Sequence, residues 1–296
     1  MMTKDTKVMV QGITGKEGRK ATRAMLDYGT QVVAGVRPGK AGEEVEGVPV
    51  FDSVADVLEV HPDCSVSAVY VPPFAAKAAI MEAIDAGVKQ INIIVERIPI
   101  QDVAHCIAAA REKGVQILGP SSLGYIRPGV GRVGVIGGPK ELVGEIFTPG
   151  HIGIISRSGG MTNELAWQVR QAGLGQSFAV HVGGDLLMGT SYKDLLLEFE
   201  NDEQTKAVVV FGEHGGAQEF EIVKIIKDGI FTKPLAIYIG GKFASAFPEG
   251  MTIGHAGAIV ERGKGAIEKE AALRSVGVLI ADKYEDLVRL IKPMVA

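Results

Sequence analysis

Residues 8–18 read Val-Met-Val-Gln-Gly-Ile-Thr-Gly-Lys-Glu-Gly, and this stretch decides the fold. It begins as an apolar strand, Val8–Gly12, and leads into an amphipathic helical pattern near Arg19–Tyr28. Glycines at such a turn let backbone amides approach a phosphate, and the helix dipole favours negative charge there. The turn predicts a nucleotide-type ligand. The spacing is not the strict dinucleotide fingerprint, and a purely structural tight turn is the alternative.

Strands and helices alternate through the rest of the chain. Apolar runs at 32–36, 66–71, 91–95 and 115–118 are interleaved with helical patterns at 75–86 and 101–113. Further strands are predicted at 153–155, 178–182, 207–211, 235–239 and 278–280. This alternation is typical of a doubly wound, mainly parallel sheet. The sequence therefore predicts two α/β domains, over 1–125 and 151–296, joined by a linker rich in Gly and Pro over 126–150.

The composition is that of a soluble globular protein, with 46% hydrophobic and 22% charged residues among 296. A net charge of -4 gives no reason to expect nucleic acid or an anionic membrane as a partner. No apolar run is long enough to cross a bilayer. The two cysteines, Cys64 and Cys106, form no metal-ligand pair. Their scarcity favours a reducing, cytoplasmic compartment, and no metal site is expected.

The second strand bears on which nucleotide binds. An NAD site needs an acidic residue about 20 residues beyond the turn to hold the ribose. This chain instead has the cationic residues Arg37 and Lys40 around Pro38 and Gly39. Cations suit a ribose that carries a phosphate, as in NADP or coenzyme A, although solvated surface charge is the alternative.

A second turn with small and hydroxyl residues follows the strand at 153–155. Residues 156–164 read Ser-Arg-Ser-Gly-Gly-Met-Thr-Asn-Glu before a helix that begins near Glu164. Such a segment exposes unpaired amides to an anion, which predicts a phosphate or carboxylate site. A Ser/Thr-capped helix is the alternative.

His255 lies in the segment Gly-His-Ala-Gly-Ala over residues 254–258. A lone histidine is usually structural, but small neighbours leave this imidazole unshielded and allow a mobile loop. An imidazole can carry a phosphoryl group as a nucleophile if a carboxylate orients it. Glu213, which follows a strand, is the predicted partner. The role of its neighbour His214 stays open.

Six ordered segments resemble the α subunit of succinyl-CoA synthetase, with local resemblance to the synthetase-like part of ATP-citrate lyase. They lie at 11–15, 38–40, 156–159, 183–185, 212–216 and 254–258. The resemblance implies a Rossmann-like coenzyme A-binding domain followed by a flavodoxin-like doubly wound domain. It further implies an acid–CoA ligase that works through a phosphohistidine and an acyl phosphate.

The resemblance also assigns roles to individual residues. His255 carries the phosphoryl group and Glu213 steadies it, while Ser158, Gly159 and Gly160 hold the anion. The predicted coenzyme A contacts are Thr14, Gly15, Lys16, Glu17, Lys40, Ile94, Val95 and Glu96. ATP or GTP with Mg²⁺ is expected on a separate ATP-grasp β subunit, in an αβ or α2β2 assembly, so that this chain alone is an incomplete enzyme.

Two segments depart from the succinate-specific pattern. Residues 119–124 read Gly-Pro-Ser-Ser-Leu-Gly instead of Gly-Pro-Asn-Cys-Pro-Gly, and 160–164 read Gly-Met-Thr-Asn-Glu instead of Thr-Leu-Thr-Tyr-Glu. Ser121, Ser122 and Asn163 therefore predict a more polar or bulkier acid, such as citrate, malate or sulfoacetate. The alternatives are a true succinyl-CoA synthetase and, from other classes, an NADP-dependent oxidoreductase or a non-catalytic CoA-binding regulatory module.

Overall fold

The chain divides into two compact units in the computed structural model, which describes residues 1–295. The first unit comprises Met1–Val143 and Leu187–Gly189, and the second comprises Gly144–Leu186 and the residues from Thr190 onward. Residues 126–150, predicted as a linker, contain the end of one strand, a second whole strand, a helix and the start of a third strand, and the division falls between Val143 and Gly144 inside that helix.

The first unit is built around a parallel sheet. Its strands are β1 Lys7–Gln11, β2 Gln31–Val36, β3 Glu44–Val45, β4 Val48–Phe51, β5 Cys64–Val69, β6 Gln90–Ile93 and β7 Gln116–Leu118. Its helices are α1 Lys16–Asp27, α2 Val54–Val60, α3 Pro73–Asp85 and α4 Ile100–Glu112. The strand order is β3-β4-β2-β1-β5-β6-β7, with only β3 antiparallel to its neighbour. The order reverses direction at β1, which is where a doubly wound sheet binds its ligand.

A hairpin completes the first unit and is followed by α5 Lys140–Ile146. It is formed by β8 Gly124–Arg127 and β9 Gly131–Gly134. The fully buried guanidinium of Arg132 ties it to α1, because it donates hydrogen bonds to Ala24 O, Ile136 O and Gly138 O. These carbonyl partners satisfy a charge that would otherwise be costly to bury.

The second unit repeats the architecture. Its strands are β10 Pro149–Ser156, β11 Gln176–His181, β12 Ala207–Glu213, β13 Leu235–Gly240 and β14 Leu279–Ile280, in the parallel order β14-β13-β12-β10-β11. Its helices are α6 Gly159–Gln171, α7 Tyr192–Asn201, α8 Gln218–Lys227, α9 Ala266–Arg274 and α10 Asp286–Ile291. Short 3₁₀ helices lie at Lys242–Ala246 and Lys292–Met294.

The central strands are apolar because helices cover both of their faces. In β12 every residue from Ala207 to Gly212 is buried, and only Glu213, at its carboxyl end, is partly exposed. The reversal of strand order around β10 brings the carboxyl ends of β10, β11 and β12 together. The α/β fold class predicted from the sequence is confirmed. Within residues 1–295, no helix has the length and apolar character needed to span a membrane.

Candidate functional site

The glycines of the turn after β1 allow close packing of the backbone. Gly12 has a φ of +84°, and a Cβ there would lie 2.7 Å from Tyr70 O. A Cβ on Gly18 would lie 2.3 Å from Gly12 O. Both positions therefore require glycine, so that α1 can approach the end of β1 closely.

The start of α1 presents backbone amides at this turn. Gly15 is the N-cap and has no side chain to accept from the first helical amides, which lack acceptors inside the helix. Lys16 and Glu17 are the first residues of the helix, and Thr14 precedes its cap. These four predicted residues therefore lie together at one helix start, the kind of terminus that favours an anion.

A cavity of about 400 Å³ lies beside the turn, at the carboxyl ends of β1 and β2. It is mainly apolar, with Val36, Pro38 and Val71 among its lining residues, and Arg37 and Glu82 are the charged residues that line it. A cavity of this kind, next to a helix start whose amides have no side-chain cap, fits a phosphate-bearing cofactor with an adenine body such as coenzyme A.

None of the eight predicted cofactor contacts lines this cavity: Thr14–Glu17 belong to the turn whose Gly12 borders it, and Lys40 and Ile94–Glu96 are not part of that turn. Lys40 forms an exposed ion pair with Glu43, with 2.6 Å between Nζ and Oε1. The segment Ile94–Glu96 follows β6, two strands from β1 in the sheet. Neither lines the cavity, so the cation at its wall is Arg37 rather than Lys40.

The two predicted acid-binding serines of the first unit differ in exposure. Ser122 is fully buried, and its hydroxyl oxygen accepts from the amide of Gly124 at 3.0 Å. The Ser121 hydroxyl donates to Glu96 Oε1 at 3.2 Å near the surface. Of the two hydroxyls, only that of Ser121 is placed to meet a solute.

In the second unit, Glu213 holds His255. Nδ1 of the imidazole lies 2.8 Å and 2.9 Å from the two carboxylate oxygens of Glu213. The carboxylate side chain is 14% exposed and the imidazole 40% exposed. Because a carboxylate accepts, Nδ1 carries the proton, and in the neutral ring Nε2 is the nucleophilic nitrogen.

The bare backbone of Gly184 lies under the ring of His255, in the histidine loop, residues 254–258. A Cβ on Gly184 would lie 2.6 Å from Cδ2 of His255. The amide of Gly257 donates to Gly184 O at 3.3 Å, and the amide of Ala258 donates to His255 O at 2.9 Å. Only glycine at position 184 allows the ring to lie this close.

The predicted anion turn forms the start of α6. Ser158 is its N-cap, and the hydroxyl accepts from the amide of Met161 at 3.4 Å. A Cβ on Gly160 would meet open space, so this first turn borders a solute-accessible region. Asn163 lies one turn further along α6 and is partly exposed.

Glu213 is held in place by two residues that the sequence patterns did not identify, Lys269 and Glu219. The fully buried ammonium of Lys269 donates to Glu213 O at 2.9 Å and to Gly215 O at 2.6 Å, and it pairs with Glu219 at 2.6 Å. Burial lowers the pKa of Lys269, while the charge of Glu219 opposes that shift. In the sequence, both residues look like ordinary helix-surface charges, so no local pattern identifies them.

His214 separates two cavities. Its ring is 4% exposed, and within residues 1–295 neither nitrogen has a hydrogen-bond partner. One cavity, of about 330 Å³, is shared with His255, Glu213 and Phe243. The other, of about 550 Å³, includes Glu261 and Glu268 among its lining residues. Burial lowers the pKa of His214, with the nearby charge of Lys269 acting in the same direction. The ring is therefore neutral near pH 7.

A third missed residue is Arg157, which directly follows β10 and is buried beside Gly257. The sequence feature that could have identified it is its position between Ser156 and Ser158. No group of three or more His, Cys, Asp or Glu residues suited to a metal ion occurs in the part of the chain that the structure describes.

Comparison with known proteins gives matches in both units. Residues 3–97 match the family described as CoA binding domain, and residues 155–279 match the family described as CoA-ligase.

Relatives match over nearly the whole chain. The ADP-forming succinate–CoA ligase subunit alpha 2 of Archaeoglobus fulgidus is 43% identical, over 97% of this chain and 96% of its own length. The ADP-forming sulfoacetate–CoA ligase subunit SauD of Bilophila wadsworthia is 39% identical, over 98% of this chain and 97% of its own. An ATP citrate lyase from Methanothrix soehngenii, solved with citrate and coenzyme A, superposes with a TM-score of 0.92 at 25% identity. It covers 99% of this chain, which spans 50% of the lyase.

Lys269→Met should destabilise the second unit by about 3 kcal/mol or more, because it leaves Glu219 charged and buried without a partner. Urea unfolding followed by the fluorescence of the only tryptophan, Trp167, measures this. Lys224→Met, an exposed change on α8, is the matched control and should have little effect. A loss below about 1 kcal/mol for Lys269→Met would show that the ammonium does not hold the Glu213 segment.

His214 should make the stability of the second unit depend on pH. Its folded pKa lies below its unfolded value, so the stabilisation is present above the unfolded pKa of about 6.5 and is lost as pH falls toward the folded pKa. Between about pH 7 and pH 5, the melting temperature of His214→Leu should fall less than that of the wild type. The exposed change His151→Asn serves as the control for losing a histidine, and equal slopes for His214→Leu and wild type would contradict the assignment.

Proposed function

The chain belongs to the succinyl-CoA synthetase α-subunit family of ADP-forming CoA ligases, and on that premise we propose that His255 carries the phosphoryl group in acid–CoA ligation. The observation that carries the proposal is the contact of both Glu213 oxygens with Nδ1 of His255, at 2.8 Å and 2.9 Å. A carboxylate in this position fixes the tautomer that leaves Nε2 as the nucleophile.

The first chemical step would be attack of Nε2 on the terminal phosphorus of a nucleoside triphosphate. The N–P bond forms as the bond to the leaving diphosphate oxygen breaks. The ring gains positive charge because Nδ1 keeps its proton, and the Glu213 carboxylate stabilises that charge. The amides around Ser158, Gly159 and Gly160 would face the phosphoryl oxygens.

In the second step, a carboxylate oxygen of the acid would attack the phosphorus. The N–P bond then breaks, the imidazole returns to its neutral form, and an acyl phosphate leaves the histidine.

Coenzyme A, when bound, supplies the thiolate that displaces phosphate from the acyl group. Residues Thr14–Glu17 and Arg37 would hold its phosphates, and the apolar cavity beside them its adenosine part. We retain Lys40 and Ile94–Glu96 as more remote contacts of the same cofactor.

The ATP or GTP and its Mg²⁺ would bind mainly to an ATP-grasp β subunit, in an αβ or α2β2 assembly. The subunit names of the relatives support a partner of this kind. For the acid, we propose a small di- or polyanion other than plain succinate. Sulfoacetate in the name of one relative and citrate in the structural neighbour support that class. Ser121 and Asn163 are the candidate contacts, whereas the buried Ser122 would act by shaping the loop.

Incubation of the αβ pair with γ-labelled ATP should place an acid-labile label on this chain, because phosphoramidates hydrolyse in acid. The label should be lost in His255→Ala and retained in His151→Ala, an exposed histidine of the same unit. Glu213→Gln should reduce labelling at least about tenfold, since the amide cannot balance the charge of the ring. Full labelling of His255→Ala would overturn the proposal.

The acid is tested with a panel of succinate, malate, citrate and sulfoacetate, using the same pair and measuring acyl-CoA formation. We expect turnover of succinate to be lower than that of at least one of the other acids. Asn163→Tyr, which introduces the residue of the succinate-specific pattern, should shift the preference toward succinate. The exposed change Gln171→Tyr, on the same helix, is the matched control. A clear preference of the wild type for succinate would refute the assignment of the acid class.

A further inference from the structure

Arg157 is a buried cation at the centre of the histidine site. Its side chain is 4% exposed, and Nη2 donates to Asp185 O at 3.3 Å. A Cβ on Gly257 would lie 2.2 Å from Nη2, and one on Gly216 would lie 3.7 Å from Nη1. The guanidinium therefore contacts the backbone of the histidine loop and the surface on which that loop lies.

The backbone of Arg157 is held on two sides. Its amide donates to Phe211 O at 3.4 Å, and its carbonyl accepts from Nε2 of the buried His181 at 2.9 Å. These bonds anchor it between β11 and β12, so the position of its side chain is determined by the core of the sheet.

The charge of Arg157 is poorly compensated. Within residues 1–295 it forms no ion pair, and its Nε has no hydrogen-bond partner. The other fully buried cations differ, because Arg132 donates to three carbonyl groups and Lys269 is paired with Glu219. A guanidinium stays charged at any working pH, and burying it without an anion is costly. A site that keeps this arrangement is suited to receive negative charge.

We propose that Arg157 is a positioning residue that stabilises the phosphorylated state of His255. It holds the loop at Gly257 against Asp185. Because its charge is uncompensated, it stabilises the loop that bears a phosphoryl dianion more than the loop that does not. This inference rests on the proposed function, and it adds a fixed cation to the amides at the start of α6. The dianion is the covalently bound phosphoryl group rather than free phosphate.

The test is the equilibrium between phosphorylated α subunit plus ADP and free enzyme plus ATP, measured in the αβ pair. Arg157→Gln removes the charge, and Arg157→Lys keeps the charge but not the planar guanidinium. We expect the equilibrium constant for phosphorylation to fall at least about tenfold in Arg157→Gln and less than about threefold in Arg157→Lys. The exposed change Arg170→Gln on α6 is the matched control and should resemble the wild type.

If Arg157 had a purely structural role, Arg157→Gln and Arg157→Lys would both lower the stability, and they would not differ in the equilibrium constant for phosphorylation. Melting curves followed by Trp167 fluorescence identify variants that fail to fold. Arg157→Met serves as a second charge-free variant if its melting temperature equals that of Arg157→Gln. Equal phosphorylation constants for wild type and Arg157→Gln, or equal defects in the Gln and Lys variants, would overturn the inference. If the wild type takes up no phosphoryl group, the proposed function itself fails, which is a different result.

One further measurement separates the two sources of the anion. In the αβ pair that carries His255→Ala, inorganic phosphate should raise the melting temperature only as much as it does in the pair that carries both His255→Ala and Arg157→Gln. A phosphate-dependent stabilisation that requires Arg157 in the absence of His255 would contradict the assignment to the covalent phosphoryl group.

Discussion

The buried ammonium of Lys269 fixes the end of β12, and the histidine site depends on that constraint. It donates to the carbonyls on either side of His214 and pairs with Glu219, so all three of its protons are used. Because Lys269 fixes the carbonyl of Glu213, the side chain of Glu213 points in one direction, and its carboxylate contacts Nδ1 of His255. The geometry that would make the imidazole a phosphoryl carrier thus originates in a fully buried ion pair outside the reacting groups.

Each unit places its chemistry at the carboxyl ends of parallel strands where the strand order reverses. In the first unit, the turn at Gly12–Gly18 and the cavity beside it lie at the end of β1. In the second, Arg157 and Gly184 follow β10 and β11, and Glu213 is the last residue of β12. Under the proposed function the two sites would use different devices: the first would present helix amides and a cation to phosphate, and the second would surround the imidazole with fixed charges. Doubly wound sheets supply both, because every strand there ends in a turn that opens a helix.

Local sequence patterns predicted those parts of the protein whose physical cause is local. The period of the apolar residues gave the α/β class, and the glycine turn gave the open helix start at Thr14–Glu17. His255 and Glu213, 42 residues apart, could be paired because each lies in a glycine-rich segment and Glu213 ends a strand. Lys40 was chosen over Arg37 as the cofactor's cation, yet Lys40 is paired with Glu43 and Arg37 lines the cavity. Lys269, Glu219 and the role of Arg157 escaped, since a charge inside a helix pattern looks solvated until the fold buries it.

Gly184 has a kinetic consequence. The imidazole of His255 lies on a bare Cα, and the loop is joined to that segment by one backbone hydrogen bond, from Gly257 to Gly184. No side chain of residue 184 interlocks with the ring, so departure of the loop requires breaking a few polar contacts and no repacking of interdigitated side chains at that position. The attraction between the ring and Glu213 changes when the charge on the ring changes. If His255 carries a phosphoryl group as proposed, residue 184 presents no side chain that would oppose the response of the loop.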